Sequence, residues 1–426
     1  MKTERARELL EGSFAAALAA ADPLHIVPGH LPAPPKGRTL VVGAGKAAAA
    51  MALAVEQHWP AAAPLEGLVI TRYQHGLLTN RITVIEAGHP VPDAAGEQAA
   101  AEILKKVKSL TSQDLLLVLV SGGGSSLLSL PAEGITMADL KQVTKQLLMS
   151  GAPIQAMNTV RKHLSLIQGG RLAAASRAPV LALVVSDVTG DDPTHIASGP
   201  CAPDPSTYQD AIDILDRYAV QPPPAIAAHL ARGVRGEIAE TPKPGDRLFA
   251  KTENRVIATA QKSLQAAADY FRGHGITPAV LGDSVTGEAR EVAKVYAALA
   301  REIRQHGAPW PAPVALISGG ECTVTVRGKG RGGRCAEFLL SLAIDLDGAA
   351  GIHALACDTD GIDGSEDNAG ALLTPDILQR ATRKKISAAT LLDQNDAYGF
   401  FAGTDDLVVT GPTRTNVNDY RVILIT

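Results

Sequence analysis

The chain has 426 residues, 46% of them apolar and 20% charged, with a formal net charge of −4 and a pI near 6.3. That length exceeds one ordinary hydrophobic core, so two domains are expected. The slight acidity supplies no field to recruit nucleic acid or anionic lipid, and an aromatic content of 4% argues against a base-stacking surface.

Cys201, Cys322, Cys335 and Cys357 form no Cys-x-x-Cys pair, which suits a reducing cytosol better than a disulfide frame or a zinc site. Residues 1–10 are charged and amphipathic with no apolar signal core behind them, and no apolar stretch approaches the roughly 20 residues of a membrane span. The expected location is the cytoplasm.

Residues 3–20 read as an alanine-rich helix, and 23–35 as a proline-bearing connection. A strand at 39–42 runs into Gly43-Ala44-Gly45-Lys46, and the alanine-rich sequence to about 58 reads as a close-packed helix. Strands are expected at 68–71 and 83–87, with a helix at 94–108. Residues 115–120 are six apolar residues without a break, the mark of a strand buried on both faces. Thr136 and Asp139 resemble a capping box ahead of a helix that Gly151 stops. Residues 180–186 form another buried-type strand, and Ser206 with Gln209 suggests a further helix start. Between 221 and 251, three consecutive prolines and Thr-Pro-Lys-Pro-Gly-Asp mark a domain boundary. The rhythm then resumes, with strands near 255–259, 277–281, 313–318 and 352–357, helices at 261–272 and 287–305, and a terminal strand pair near 406–410 and 421–425. This alternation predicts an α/β fold of two doubly wound, Rossmann-like domains, 1–235 and 250–426.

The candidate chemistry lies just past the predicted strands. Ser121-Gly122-Gly123-Gly124-Ser125-Ser126 places three glycines among hydroxyls, a cradle for phosphate or carboxylate more than a simple turn. Gly43-Ala44-Gly45-Lys46-Ala47-Ala48 meets the loose dinucleotide fingerprint. It lacks the supporting acid some 20 residues on, where Arg72 would suit a 2′-phosphate instead. Lys46 adds charge to a phosphate-friendly helix start, the alternative being a solvated lysine. Asp187, Asp191 and Asp192 follow a strand together and suit Mg²⁺ or proton abstraction from a hydroxyl; Asx-turn chemistry explains one of them well and three poorly. Ser318-Gly319-Gly320-Glu321 is a second strand-to-glycine turn. The basic run at 328–334 ends in Arg334, whose planar fork suits a carboxylate, the alternative being a mobile basic loop. The acidic turn 358–364 is either a ligand site or a plain turn. The loop 410–419 carries more hydrogen-bonding groups, Asn416 among them, than an ordinary connection needs.

Together these stretches resemble glycerate 2-kinase of the MOFRL type, a family also carried under the name hydroxypyruvate reductase. The carriers are Val-Gly-Ala-Gly-Lys at 42–46, Ser-Gly-Gly-Gly-Ser-Ser at 121–126, Asn-Thr-Val-Arg-Lys-His-Leu-Ser at 158–165, and residues 186–200, 318–321, 358–364 and 410–419. The resemblance implies ATP-dependent phosphorylation of D-glycerate at its 2-hydroxyl, with a divalent metal, in a cleft between two α/β domains. It ties Lys46 and Arg334 to catalysis; from the chemistry of the acidic loop, Asp187, Asp191 or Asp192 is expected to orient the hydroxyl or hold the metal, with Asp187 taken as the catalytic one. Gly43, Gly45, Ser121 to Ser126, Gly319, Gly320, Glu321 and Asn416 are then expected to contact ATP, and Asp191 and Asp192 to hold Mg²⁺. The expected partners are D-glycerate and ATP, with no nucleic acid and no membrane, on a monomer or homodimer. The chain departs from the pattern at Cys335-Ala336, where the family carries Asn-Gln, and at Arg414, where a small residue is common. A reductase using NAD(P)H on hydroxypyruvate is the rival reading. A non-catalytic sensor of a phosphorylated sugar acid is the weakest.

Overall fold

The apolar run Leu115–Val120 is a strand with every residue buried. It takes the centre of a sheet built by β1 (Thr39–Ala44), β2 (Leu65–Arg72), β3 (Ile82–Ala87), β4 (Leu115–Val120), β5 (Val180–Val185) and β6 (Thr252–Ala258), in the order β3-β2-β1-β4-β5-β6. The strands β1 to β5 pair in parallel, with Ala44 opposite both Ile70 and Val120, and Val120 opposite Val184. Successive side chains point to opposite faces. Leu40, Val42, Leu116, Val118, Ala182 and Val184 therefore share one face, where they pack with Ala100, Ile103 and Val107 of the helix Ala94–Lys108. Their neighbours Val41, Leu117, Leu119 and Leu183 are equally buried on the other face. Both faces are covered, as the unbroken apolar run anticipates.

The computed structural model describes residues 1–426 and divides into two units, Pro23–Ile257 and a second made of Met1–Asp22 with Ala258–Thr426. The second unit holds β7 (Thr277–Gly282), β8 (Val314–Ser318), β9 (Ile352–Asp358), β10 (Gly370–Leu373), β11 (Leu407–Val408) and β12 (Asp419–Ile425), ordered β11-β10-β9-β12-β8-β7. The β7–β8 pair is parallel, whereas β12 runs antiparallel to both β8 and β9, so β7, β8 and β9 point the same way around a reversed central strand. Val314, Leu316, Ala354, Ala356, Ile423 and Ile425 face the helices Ala289–His306 and Arg334–Leu346. Ala315, Ile317, Leu355, Cys357, Val422 and Leu424 face the helices Thr3–Ala19 and Ala260–Gly273. Helices on both faces make this sheet doubly wound as well.

Five local readings differ from expectation. The expected division at 235–250 groups the first helix with the N-terminal half, yet Leu9, Leu10 and Phe14 pack with Phe271 and Tyr420, and the Tyr420 hydroxyl donates to Ser13 Oγ at 2.8 Å. β6, read as the first strand of the second domain, instead edges the first sheet. The prolines at 222–224 start the helix Pro224–Val234 rather than a linker, because proline suits the first helical turn. Strands β11 and β12 do not pair with each other: β11 pairs with β10, which the sequence reading missed. The Thr136–Asp139 capping box is present, and the second box falls one residue later than read, at Thr207 and Asp210. All four cysteines are free thiols. No helix is long and apolar enough to cross a membrane.

Candidate active site

In the N-terminal unit the chain runs outward from β1 through β2 to β3, then returns to place β4 on the other side of β1. Ligands of open α/β sheets sit where strand order reverses in this way, beyond the carboxyl ends of the strands. Here that point lies between β1 and β4, so the loops 45–47 and 121–126 emerge side by side, with Ser186 and Asp187 beside them after β5.

The first loop is locked onto the second. Lys46 N–H donates to the Gly122 carbonyl at 2.8 Å, Ala47 N–H to Ser121 Oγ at 3.0 Å, and Gly45 N–H to the Ile70 carbonyl at 3.1 Å. Gly45 has φ +142°, and a Cβ there would stand 2.1 Å from Ser121 Oγ. Gly43 is constrained similarly, its would-be Cβ lying 2.0 Å from the Leu119 carbonyl oxygen. These two glycines therefore permit contact between β1 and β4, and their loop has little N–H left for a ligand. Gly45→Ala should lower stability by about 2–4 kcal/mol, measured by urea denaturation; an unchanged midpoint would show that the loops separate without cost.

The second loop differs. Gly122, Gly123 and Ser125 keep N–H groups that no acceptor of the chain takes up. Gly123 has φ +81° and leads into the single turn Gly124–Leu127. A Cβ on Gly123 would touch the His89 ring at 2.9 Å and the Lys46 Cγ at 3.4 Å, so the partly buried lysine stem and the imidazole both lie over this glycine. Gly124 approaches Ala197, whose Cβ would be 2.5 Å from a Cβ on the glycine. Ser126 Oγ donates back to the Gly123 carbonyl at 3.1 Å.

Behind this loop is a polar network the spacing did not announce. Ser125 Oγ lies 2.9 Å from Ser198 Oγ, and Ser198 donates to Asn158 Oδ1 at 3.2 Å. Arg161 Nη1 donates to the same Asn158 oxygen at 3.3 Å, and Asn158 Nδ2 to the His195 carbonyl at 3.2 Å. Ala197, Ser198 and Gly199 all have positive φ, 50°, 59° and 59°. Two successive non-glycine residues held there store backbone strain, which concentrates at functional sites. Burial pulls the Arg161 guanidinium below its usual value.

The acidic loop is graded. Asp187 and Asp191 are partly buried, and Asp192 is exposed. Asp192 Oδ1 accepts from Thr194 N–H at 2.9 Å, an Asx turn. Burial alone would raise its carboxyl; the Thr194 hydrogen bonds outweigh that and hold it below the usual range. No three His, Cys, Asp or Glu side chains gather closely enough to cage a metal. Mg²⁺ takes one or two protein carboxylates and completes its shell with water and phosphate oxygens, so the hard oxygen donors of this loop fit that ion and not a protein-only cage.

In the C-terminal unit, Arg334 opens its helix with each guanidinium nitrogen facing a carboxylate. Nε meets Asp419 at 2.8 Å, Nη2 meets Asp358 at 2.8 Å, and Nη1 meets Glu321 at 3.2 Å. Burial opposes the charge, but these carboxylates raise the Arg334 pKa above its ordinary value. The helix start itself is occupied: Asp363 accepts from Cys335 N–H at 3.0 Å and Ala336 N–H at 2.8 Å. Gly320, at φ +103°, passes close to Val285, and buried Arg421 donates to the Gly319 and Gly320 carbonyls and to Asp419. Asn416 is buried and accepts from Asn418 N–H at 3.3 Å.

Comparison with known proteins bears on this arrangement. Residues 9–231 match the model described as Domain of unknown function (DUF4147), and residues 314–419 match that of the MOFRL family. A relative from Agrobacterium vitis, named "Putative hydroxypyruvate reductase", is 49% identical over 99% of this chain and 94% of its own. A glycerate 2-kinase from Pyrococcus horikoshii is 37% identical over 92% of this chain and 88% of its own. The crystal structure of a glycerate kinase from Thermotoga maritima superposes with a TM-score of 0.88 at 35% identity, covering 99% of this chain and 100% of the other.

The chain belongs to the MOFRL glycerate kinase family.

Within this family member, Lys46, Gly43, Gly45 and the residues 121–126 come together at the switch point of one sheet, with Asp187 one strand away. Arg334, Glu321, Gly319 and Gly320 come together in the other unit, where Arg421 fastens the Gly319–Gly320 turn. The basic stretch before Arg334 is held along its backbone by residues 394–396. Arg327 and Gly328 donate to Asn395 Oδ1, Gly330 to the Gln394 carbonyl and Arg331 to Asp396, while the Arg331 guanidinium lies 4.7 Å over the Tyr398 ring. The acidic turn that follows β9 is partly Asx chemistry, since Asp358 and Asp360 each accept from the N–H two residues on. Asn158, Arg161, Ser198 and Arg421 were not singled out as site residues. The two Asn158-to-Ser165 and Ile196-to-Pro200 stretches were legible as family carriers, but nothing in their spacing indicates that they meet.

Cys335, where the resemblance leads one to expect asparagine, is 0% exposed and packs in the core of this unit, and burial pushes its thiol well up. Asp363 yields a pH test. Burial pushes its carboxyl up to about 6 against the hold of the two N–H donors, from an ordinary 3.8. The folded chain then binds this proton more tightly than the unfolded chain does. Its contribution to stability is full below about pH 4 and is lost as pH rises through about 6, by up to about 3 kcal/mol. The stability of the wild type relative to Asp363→Asn, followed by urea unfolding from pH 4 to 8, should fall across that window. A flat difference would place the Asp363 pKa near its unfolded value.

Proposed function

We propose that this protein is an ATP-dependent kinase that phosphorylates D-glycerate at its 2-hydroxyl, giving 2-phosphoglycerate. The observation that carries the reading is the set of open N–H groups on the 121–126 loop, under Lys46, at a strand-order switch point, in a chain of which 92% aligns with a named glycerate 2-kinase. Phosphoryl transfer asks for positioning and charge neutralisation more than covalent chemistry, and these groups offer both. Gly122, Gly123 and Ser125 cradle phosphate oxygens, and Lys46 offsets the negative charge on the migrating group. Asp187 orients the 2-hydroxyl and takes its proton as the oxygen bonds to the γ-phosphorus and the bond to the bridging oxygen of ADP breaks. Asp191, with Asp192 beside it, holds the Mg²⁺, which when bound screens phosphate charge.

A reductase is less well supported. The strand order β3-β2-β1-β4-β5-β6 is that of dinucleotide-binding sheets. However, the fingerprint glycines face Leu119 and Ser121, not open space, and the loop N–H groups are already used. The test pairs two assays: ADP release with D-glycerate and Mg-ATP, with the phosphate position read by phosphorus NMR, and NAD(P)H loss with hydroxypyruvate. Activity in the second assay alone would replace the kinase reading.

A further inference from the structure

The helix Ile154–His163 ends in three consecutive basic residues, Arg161, Lys162 and His163, the last of them held below its ordinary pKa by burial. Two of them are buried with an anion of the chain. Lys162 Nζ meets Asp204 at 3.3 Å, and His163 Nε2 lies 3.3 Å from Glu240. Arg161 has no carboxylate. Its one side-chain partner is the neutral Asn158 Oδ1, which leaves most of the donors of its guanidinium unused. An unmatched guanidinium sunk into a protein is costly, and a helix C-terminus offsets only a fraction of that cost. The remaining donors are not sealed in the core, because the side chain is only partly buried.

The surroundings are built to hold this group still. Asn158 is 2% exposed and is itself held by Ser198 and by the His195 carbonyl. Ser198 is tied to Ser125, a member of the loop with open N–H groups, and sits in the strained run of positive φ. Buried His195 Nδ1 has no partner in the chain. Arg334, the alternative, has each nitrogen already facing a carboxylate.

We propose that Arg161, positioned by Asn158 and Ser198, is the group that recognises the carboxylate of the small-acid substrate, an inference that rests on the kinase reading given above. The planar fork suits a carboxylate through two parallel hydrogen bonds. Placing the acid here sets its hydroxyl near the Ser125 end of the loop that receives phosphate.

The test compares D-glycerate with its uncharged methyl ester on the wild type, Arg161→Gln and Arg161→Lys, with Mg-ATP. The wild type should prefer the acid by about 100-fold or more in kcat/KM. Arg161→Gln should lose that preference through a KM for glycerate raised about 100-fold, with the KM for ATP unchanged. Arg161→Lys, which keeps the charge and loses the fork, should fall between. Retained discrimination in Arg161→Gln, or a rise in the ATP KM instead, overturns the assignment. Calorimetric titration of D-glycerate into wild type and Arg161→Gln separates this inference from the kinase reading. Binding to the wild type that Arg161→Gln abolishes supports the site even if no phosphoryl transfer is seen. Equal binding by both proteins, or no binding by the wild type, rejects it. A melting temperature of Arg161→Gln within about 3 °C of wild type shows that the fold is kept; if that variant fails to fold, Arg161→Lys with the ester comparison decides.

Discussion

Lys46→Ala is expected to lower kcat by about 10²–10⁴-fold while leaving the fold intact. The lysine follows directly on Gly45, in a loop whose N–H groups make three hydrogen bonds to β2 and to the loop after β4. Those bonds involve backbone groups and Ser121, so truncating the lysine side chain leaves them in place. The stem lies over Gly123, the residue at the centre of the open N–H groups, beside the loop proposed to receive phosphate. A preorganised cation in such a place acts mainly on the transition state, where charge on the transferring oxygens is greatest. The loss should therefore appear in kcat more than in the KM for glycerate. Steady-state kinetics with Mg-ATP, beside a thermal melt, measures both. Turnover within tenfold of wild type would remove Lys46 from the chemistry and leave it as a surface lysine.

The second large effect is on stability. Arg334→Met should destabilise the protein by about 3–5 kcal/mol, with a fall in melting temperature on the order of 10 °C. Asp419 is 2% and Asp358 3% exposed, and both lose the guanidinium that balances them. An isolated buried carboxylate either stays charged at high cost or takes up a proton. Asp419 keeps one further cation, since Arg421 Nη2 donates to its Oδ2 at 3.0 Å, and Asp358 keeps the N–H of Asp360 at 3.0 Å. Adding Asp358→Asn to Arg334→Met should recover part of the loss, because the two changes share one interaction. A melting temperature within 2 °C of wild type for the single variant would show that the carboxylates are balanced by something other than Arg334.

The composition and the strand pattern carried much of the architecture. Unbroken apolar runs at 115–120 and 180–185 admit little but strands covered on both faces, because a strand alternates its side chains and a half-exposed one would alternate its polarity. Glycines and acids directly after such runs mark the carboxyl ends, and the residues 43–46 and 121–126 do meet there.

Other features depended on contacts between distant residues. The first helix is amphipathic wherever it packs, and only the apolar patch around Phe271 and Tyr420 assigns it to the C-terminal unit. Strand β12 reads as apolar like its neighbours, but local sequence carries no sign of strand direction, which follows from the partners it finds in β8 and β9. Which cations are balanced is also a tertiary fact. Folding brings Glu321, Asp358 and Asp419 to Arg334 and only Asn158 to Arg161, which nothing in their local sequence foretells. Propensity and periodicity act over a few neighbouring residues, so the chain by itself determined its long apolar strands and the loops after them that carry its glycines and acids. Charge balance and strand direction arise between residues tens to hundreds of positions apart, and only the folded structure decided them.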